Sequence, residues 1–150
     1  MKILILGCGR VGSALATLMS RENHEVTILD RDSNAFRRLG SDFGGQRVVG
    51  NGIDEDILRR AGVQNADAFV SVTNGDNTNI MAAQIAKEKF GVPRVMARIY
   101  DPIRAEEYGK MGMATFCSTA VGAGIVRDLI TEQPVRSYEE YARLTSELGR

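Results

Sequence analysis

Residues 6–15 read LGCGRVGSAL, with glycines at 7, 9 and 12 directly behind the apolar run Ile3-Leu4-Ile5-Leu6. Glycines at this spacing, between a strand and a helix, suit a loop that holds phosphate. Gly7 permits the tight turn, Gly9 lets the backbone approach a pyrophosphate, and Gly12 lets the next helix lie close to the sheet. The helix start, carrying Arg10 and Val11, offers free N–H groups and roughly half a positive charge to an anion. Arg10 opposes that dipole while the loop is empty, at a small cost. Bound phosphate reverses the sign through paired, charge-assisted hydrogen bonds. The plainer alternative for Arg10 is a guanidinium in solvent.

Asp30 lies 18 residues beyond Gly12 and closes the run Val26-Thr27-Ile28-Leu29. A carboxylate at a strand end accepts hydrogen bonds from both ribose hydroxyls of an adenosine and repels a 2′-phosphate. Arg31 complicates that preference, because a guanidinium tolerates such a phosphate or stacks on adenine. Asp30 is also placed to cap a helix over 32–39, which is compatible with ligand binding. Ligands of open α/β sheets sit beyond the carboxyl ends of the strands, which adds further candidates. Asn51 and Gly52 follow the third strand, where an adenine is expected: glycine leaves room, and Asn51 bonds the base or a backbone turn. Thr73 and Asn74 follow the fourth strand, on the path of the middle or distal part of a dinucleotide. Arg98 closes the fifth, either as a second cation for the ligand or as a partner for Asp101.

Other chemistry is poorly served. The single histidine, His24, falls in a turn at the opposite strand edge, so no catalytic residue is assigned. Asp54-Glu55-Asp56 opens a helix, where the dipole already explains the carboxylates, and no metal ligand is assigned. Cys8, at a helix start, is a minor candidate for a redox-sensitive thiol. Met81, Met96, Met111 and Met113 lie in or beside apolar segments and are expected to fill core gaps.

These residues need a scaffold, and the chain alternates to supply one. Strands are expected near 2–6, 25–29, 46–50, 67–72, 94–98 and 114–117. Helices are expected near 10–22, 32–39, 54–61, 77–90, 102–111 and 119–131. Such alternation specifies a mainly parallel six-stranded sheet with helices on both faces. Asp54, Asp76 and Asp101 (before Pro102) read as N-caps, and Gly62, Gly91 and Gly112 stand where helices should stop. Pro134 ends the preceding helix, and Ser137-Tyr-Glu-Glu140 is a capping box that opens an extra C-terminal helix. Tyr138, Tyr141, Leu144 and Leu148 share one face of it, which either packs back on its own domain or meets a partner. The expected division is a nucleotide-binding domain over 1–131 and a helical extension or linker over 132–150.

With 19 acidic and 19 basic residues the chain carries no net charge, so nothing marks it for nucleic acid. Cys8 and Cys117 lie far apart and fit a reduced, cytosolic setting. No apolar run is long enough to span a bilayer, so action at a membrane calls for a separate spanning partner. Small residues at Gly122, Ala123 and Gly124 of an apolar helix suit close packing against a second subunit.

Taken together, the Gly-x-Gly-Arg-Val-Gly loop, Asp30, Thr73-x-x-Asp76-x-x-Asn79, and Ala97-Arg98 followed by Asp101-Pro102 resemble one family. It is the regulator-of-potassium-conductance nucleotide-binding domain, also called KTN or TrkA-N. The resemblance runs from residue 1 to about 131 and implies a doubly wound, Rossmann-like α/β sheet. It also implies a cytosolic domain that binds NAD(H) or adenine nucleotides such as ATP, ADP or AMP. Such domains regulate potassium channels or transporters as dimers and rings, peripheral to the membrane through their partner. On that resemblance Arg10 contacts ligand phosphates, Asp30 holds the ribose, and Thr73 and Arg98 complete the site. The chain departs from the family's usual Gly-Asp-Ala-Thr by having Gly50-Asn51-Gly52-Ile53 after the third strand, which leaves ligand preference open. The rival reading is the cofactor-binding domain of an NAD-dependent oxidoreductase, since the fold is shared.

Overall fold

The strand β1 (Lys2–Leu6) is buried at all but its first residue, and successive side chains feed two different cores. Ile3 and Ile5 point to one face and Leu4 and Leu6 to the other, as expected of a parallel strand covered on both sides. The computed structural model describes residues 1–146, with side chains through Arg143. Within it the chain forms two compact units, one over Met1–Ala97 and one that begins at Arg98.

In the first unit β1 is followed by α1 (Arg10–Arg21), β2 (Glu25–Asp30) and β3 (Gln46–Val49). Then come α2 (Glu55–Arg60), β4 (Ala68–Ser71), α3 (Asp76–Gln84) and β5 (Arg94–Arg98), whose last residue is the first of the second unit. The strands run parallel in the order β3-β2-β1-β4-β5. The chain therefore steps outward one way from β1 and returns to its other side at β4. This reversal opens a crevice at the carboxyl edge between β1 and β4. One core places Ile3, Ile5, Val26 and Ile28 against Ala16 of α1; the other places Leu4, Leu6, Leu29 and Phe69 against Leu58 of α2 and Ala82.

The second unit holds α4 (Pro102–Lys110), β6 (Ala114–Phe116), α5 (Ser118–Ile130) and α6 (Tyr138–Ser146). Ile99 N–H donates to Phe116 O at 3.0 Å, which makes β6 the sixth strand. The extra helix is present, and its capping box closes reciprocally. Ser137 N–H donates to Glu140 Oε2 at 3.0 Å, and Glu140 N–H donates to Ser137 Oγ at 3.3 Å. The tyrosines of α6 pack back on their own unit. Tyr138 donates its hydroxyl to Thr115 O and stacks on Phe116 at 5.9 Å, while Tyr141 is buried and donates to Asp128 Oδ2 at 3.0 Å. The Leu144 and Leu148 side chains of the same expected stripe lie outside the described residues.

Several expectations need correction. The segment 32–39 forms a 3₁₀ helix, Ser33–Arg38, rather than an α-helix. Only Ala35 is buried within it, and its bonds run three residues apart, as in short connectors. Asp76 is the first residue of α3, and Gly75 takes the N-cap. The helix expected over 77–90 is α to Gln84 and then a π turn over Ile85–Lys89. Met81, Met96 and Met111 are 50%, 43% and 74% exposed, so they fill no core gap.

Candidate functional site

The phosphate loop is built by contacts that forbid side chains at two glycines and leave the third open. Gly7 has φ +102°, and a Cβ there would stand 2.9 Å from Thr73 N. A Cβ on Gly12 would stand 1.8 Å from Gly7 O, so α1 lies directly on the turn. A Cβ on Gly9 would have no atom within 4 Å. Gly9 is also the N-cap of α1 and supplies no capping side chain, so the first-turn amides of Arg10, Val11 and Gly12 face outward uncapped. This cradle fits a pyrophosphate: donors converge on an open approach at the positive end of a 12-residue helix. Arg10 is exposed at the head of that helix, and among the described residues no ion pair engages its guanidinium.

Asp30 ends β2 beside the loop and is half-buried. Its Oδ2 accepts the Cys8 N–H at 2.7 Å and its Oδ1 accepts the Asp32 N–H at 2.9 Å. Each oxygen retains acceptor capacity for a ribose hydroxyl. The bond to Cys8 was not legible in the sequence, which pointed to the carboxylate only as a ligand contact. Asp32, rather than Asp30, caps the following 3₁₀ helix. Arg31 is exposed next to it. Burial, reinforced by the Asp30 charge, pushes the Cys8 thiol up to about 11 against the opposing pull of Arg38 and Arg47. A redox-sensitive thiol needs the opposite shift and access to solvent, and Cys8 is buried, so it is not poised for that chemistry.

Beyond β3, neighbouring side chains occupy the positions a Cβ would take on either glycine. A Cβ on Gly52 would stand 2.2 Å from Leu6 Cδ1, and one on Gly50 would stand 2.6 Å from Ile57 Cγ2. Asn51 is exposed, with Oδ1 accepting the Ile53 N–H of its own turn at 3.3 Å. Across the crevice, Thr73 is half-buried and Asn74 exposed. Asn79, which the sequence offered only as the last member of the Thr73-x-x-Asp76-x-x-Asn79 pattern and without a role, is fully buried and bonds Thr73. Arg98 belongs to the second unit, where it is buried with its guanidinium 4.3 Å over the Tyr100 ring. His24 lies at the amino edge of β2, opposite the loop, with Nδ1 3.3 Å from the chain's terminal amine. The acidic run at 54–56 is engaged locally: Asp54 caps α2, Glu55 pairs with Lys89, and Asp56 pairs with Arg59.

Residues 3–119 match the model of the TrkA-N domain family. The chain is 57% identical over 115 residues to the Trk system potassium uptake protein TrkA of Streptomyces coelicolor, covering 77% of this chain and 52% of that protein. It is 39% identical over 140 residues to the TrkA of Vibrio alginolyticus, covering 93% of this chain and 29% of that protein. The chain thus spans about half the length of the first relative and under a third of the second. Among solved structures, the GsuK protein bound to ADP and the GsuK channel bound to NAD are each similar with TM-score 0.74 and 25% identity. Each match covers 87% of this chain, with 34% and 23% of the respective GsuK chains.

Proposed function

The chain belongs to the TrkA-N domain family, and from that premise we propose that it is a regulatory nucleotide-binding module of a potassium channel or transporter. It binds NAD(H) or an adenine nucleotide and acts by changing shape, without catalytic turnover. The observation that carries this reading is the uncapped start of α1, with Gly9 open and Asp30 tied to the same loop. The GsuK structures with ADP and NAD, and the potassium-uptake names of the relatives, support the ligand class and the ion.

In this mechanism ligand phosphates sit on Arg10 and the Gly7–Gly12 amides and reach toward the Thr73–Gly75 turn, while Asp30 holds the ribose. Arg31, Asn51 and Gly52 flank the adenosine end, and Asn74 flanks the far end. Different nucleotides favour different separations of the two loops, and each shifts the equilibrium only by its differential affinity for the two shapes. A contribution from Arg98 is read separately, through Arg98→Ala.

The partner is a membrane potassium-transport subunit, and the module works at the cytoplasmic face through it. No helix among the described residues is long and apolar enough to cross a membrane. Self-association into a dimer or ring is supported by α5, where Val126, Leu129 and Ile130 are 58%, 63% and 76% exposed beside Gly122 and Ala123.

Isothermal titration with NAD, NADH, ATP, ADP and AMP tests the reading, alongside light scattering for the assembly. Saturable binding of at least one nucleotide is expected. Steady-state NADH oxidation with small carbonyl substrates would replace the regulator with an oxidoreductase, and a strict monomer at high concentration would remove the α5 interface.

A further inference from the structure

Thr73 lies two residues past the end of β4, where the strand ladder has stopped, yet its backbone is held as though another strand ran beside it. Its N–H donates to Asn79 Oδ1 at 2.8 Å, and Asn79 Nδ2 donates to Thr73 O at 3.0 Å. One carboxamide thereby satisfies both backbone groups of a single residue, which a paired strand otherwise does. The Thr73 hydroxyl donates to the same Oδ1 at 2.7 Å and accepts the Gly75 N–H at 3.3 Å. Asn79 is itself fixed: it is fully buried in α3, and its backbone carbonyl accepts the Ser71 hydroxyl at 2.8 Å. A buried polar network with every member satisfied is rigid.

The phosphate loop leans on this bracket. Gly7 approaches Thr73 so closely that a Cβ would stand 2.9 Å from Thr73 N and 3.0 Å from Val72 C. The place of the Thr73–Gly75 turn relative to the Gly7–Gly12 loop is therefore set from α3, through one side chain. We propose that Asn79 is a positioning residue for the phosphate-bearing part of the ligand. It acts through Thr73, holding the far wall of the crevice at the separation that a second phosphate requires. This inference rests on the nucleotide-binding reading above.

Titration of the 150-residue chain with AMP, ADP and NAD, with Tm measured in parallel, tests it. Asn79→Ala is expected to weaken ADP and NAD about tenfold or more and to leave AMP, whose one phosphate stays on the glycine loop, within about twofold. Equal loss for all three ligands, or a lower Tm with unchanged affinities, overturns the positioning role. A wild-type chain that binds none of the three overturns the nucleotide reading itself, and the inference with it.

Asn79→Asp serves if the alanine variant does not fold. A protonated carboxyl presents the same acceptor and donor as the amide, whereas the ionised form turns a negative oxygen on the Thr73 carbonyl. The NAD affinity of Asn79→Asp relative to wild type is therefore expected to recover as pH falls from about 8 to about 5. A ratio that stays flat across that range overturns the proposal, because a general packing defect carries no such titration.

Discussion

Asp30 Oδ2 accepts the Cys8 N–H at 2.7 Å, so the end of β2 and the phosphate loop are one hydrogen-bonded unit before any ligand arrives. On the proposed function the carboxylate does two jobs. It presents acceptors to a ribose, and it orients the backbone that presents donors to the phosphates.

Asp30→Ala is therefore expected to weaken every adenine nucleotide, AMP included, by about 1–3 kcal/mol, the scale of hydrogen bonds to a charged group. Tm should fall as well, because the Cys8 and Asp32 amides lose their acceptor. Calorimetric titration beside thermal melts checks both; unchanged affinity removes Asp30 from the site.

Gly9 and Gly12 should separate binding from folding. Gly12→Ala drives a methyl into Gly7 O, 1.8 Å away, and is expected to cost at least about 1–3 kcal/mol of stability. Gly9→Ala meets nothing within 4 Å, and φ −77° suits alanine, so its Tm should hold within a few degrees. Its methyl instead occupies the pyrophosphate approach, and NAD and ADP affinity should drop. Denaturant melts with titrations on both variants decide the matter; a Gly9→Ala chain that binds like wild type places the phosphates elsewhere.

Arg10→Ala is expected to weaken ATP and ADP by about 1–3 kcal/mol and adenosine hardly at all. Because Arg10 is exposed, the difference should shrink as salt is raised. Titrations at low and high ionic strength read this directly. Equal losses for adenosine and ATP would return Arg10 to solvent.

The scaffold was legible because parallel strands covered on both faces must be apolar nearly throughout, as Lys2–Leu6 is, and helix ends carry local signals. Asp54, Asp101 and the Ser137/Glu140 pair cap helices as their spacing indicates, and Gly62, Gly91 and Gly112 turn with φ of +83°, +66° and +83°. Burial was less legible, since residue type alone does not decide which face a side chain takes; Met81 and Met111 lie in or beside helices but point outward. At the candidate site the geometry local to a loop was legible, as in the turn at Gly7 and the close approach at Gly12. It was illegible at the level of bonds: the Thr73-x-x-Asp76-x-x-Asn79 spacing sets both residues in one pattern, but spacing does not say that the Asn79 carboxamide bonds the Thr73 backbone. The packing at positions 50 and 52 was illegible for a related reason, since the side chains that require glycine there, Ile57 and Leu6, are not marked by any local spacing.

The closing prediction concerns the second unit, where α6 is held on α5 by a carboxylate. Asp128 is fully buried and accepts from Arg127 Nε at 2.9 Å and from the Tyr141 hydroxyl at 3.0 Å, with Arg136 Nε 3.5 Å away. Burial alone would raise its pKa, but the hydrogen bonds from Arg127 and Tyr141, with the Arg127 and Arg136 charges, hold it below the ordinary value. A carboxyl whose folded pKa is depressed stabilises the fold above its unfolded value of about 3.9. That stabilisation is lost as pH falls through the lower folded value, when the proton removes the charge that both guanidiniums face. Melting followed by circular dichroism from neutral pH down to about pH 3 should show a decline that flattens in Asp128→Asn, which is already less stable at neutral pH. Tyr141→Phe should lower stability while keeping the acid decline, because it removes one bond and leaves the charge in place. An acid decline unchanged in Asp128→Asn would assign the pH dependence to other carboxylates, such as Asp42 with its Arg21 partner or Glu140 at the α6 cap.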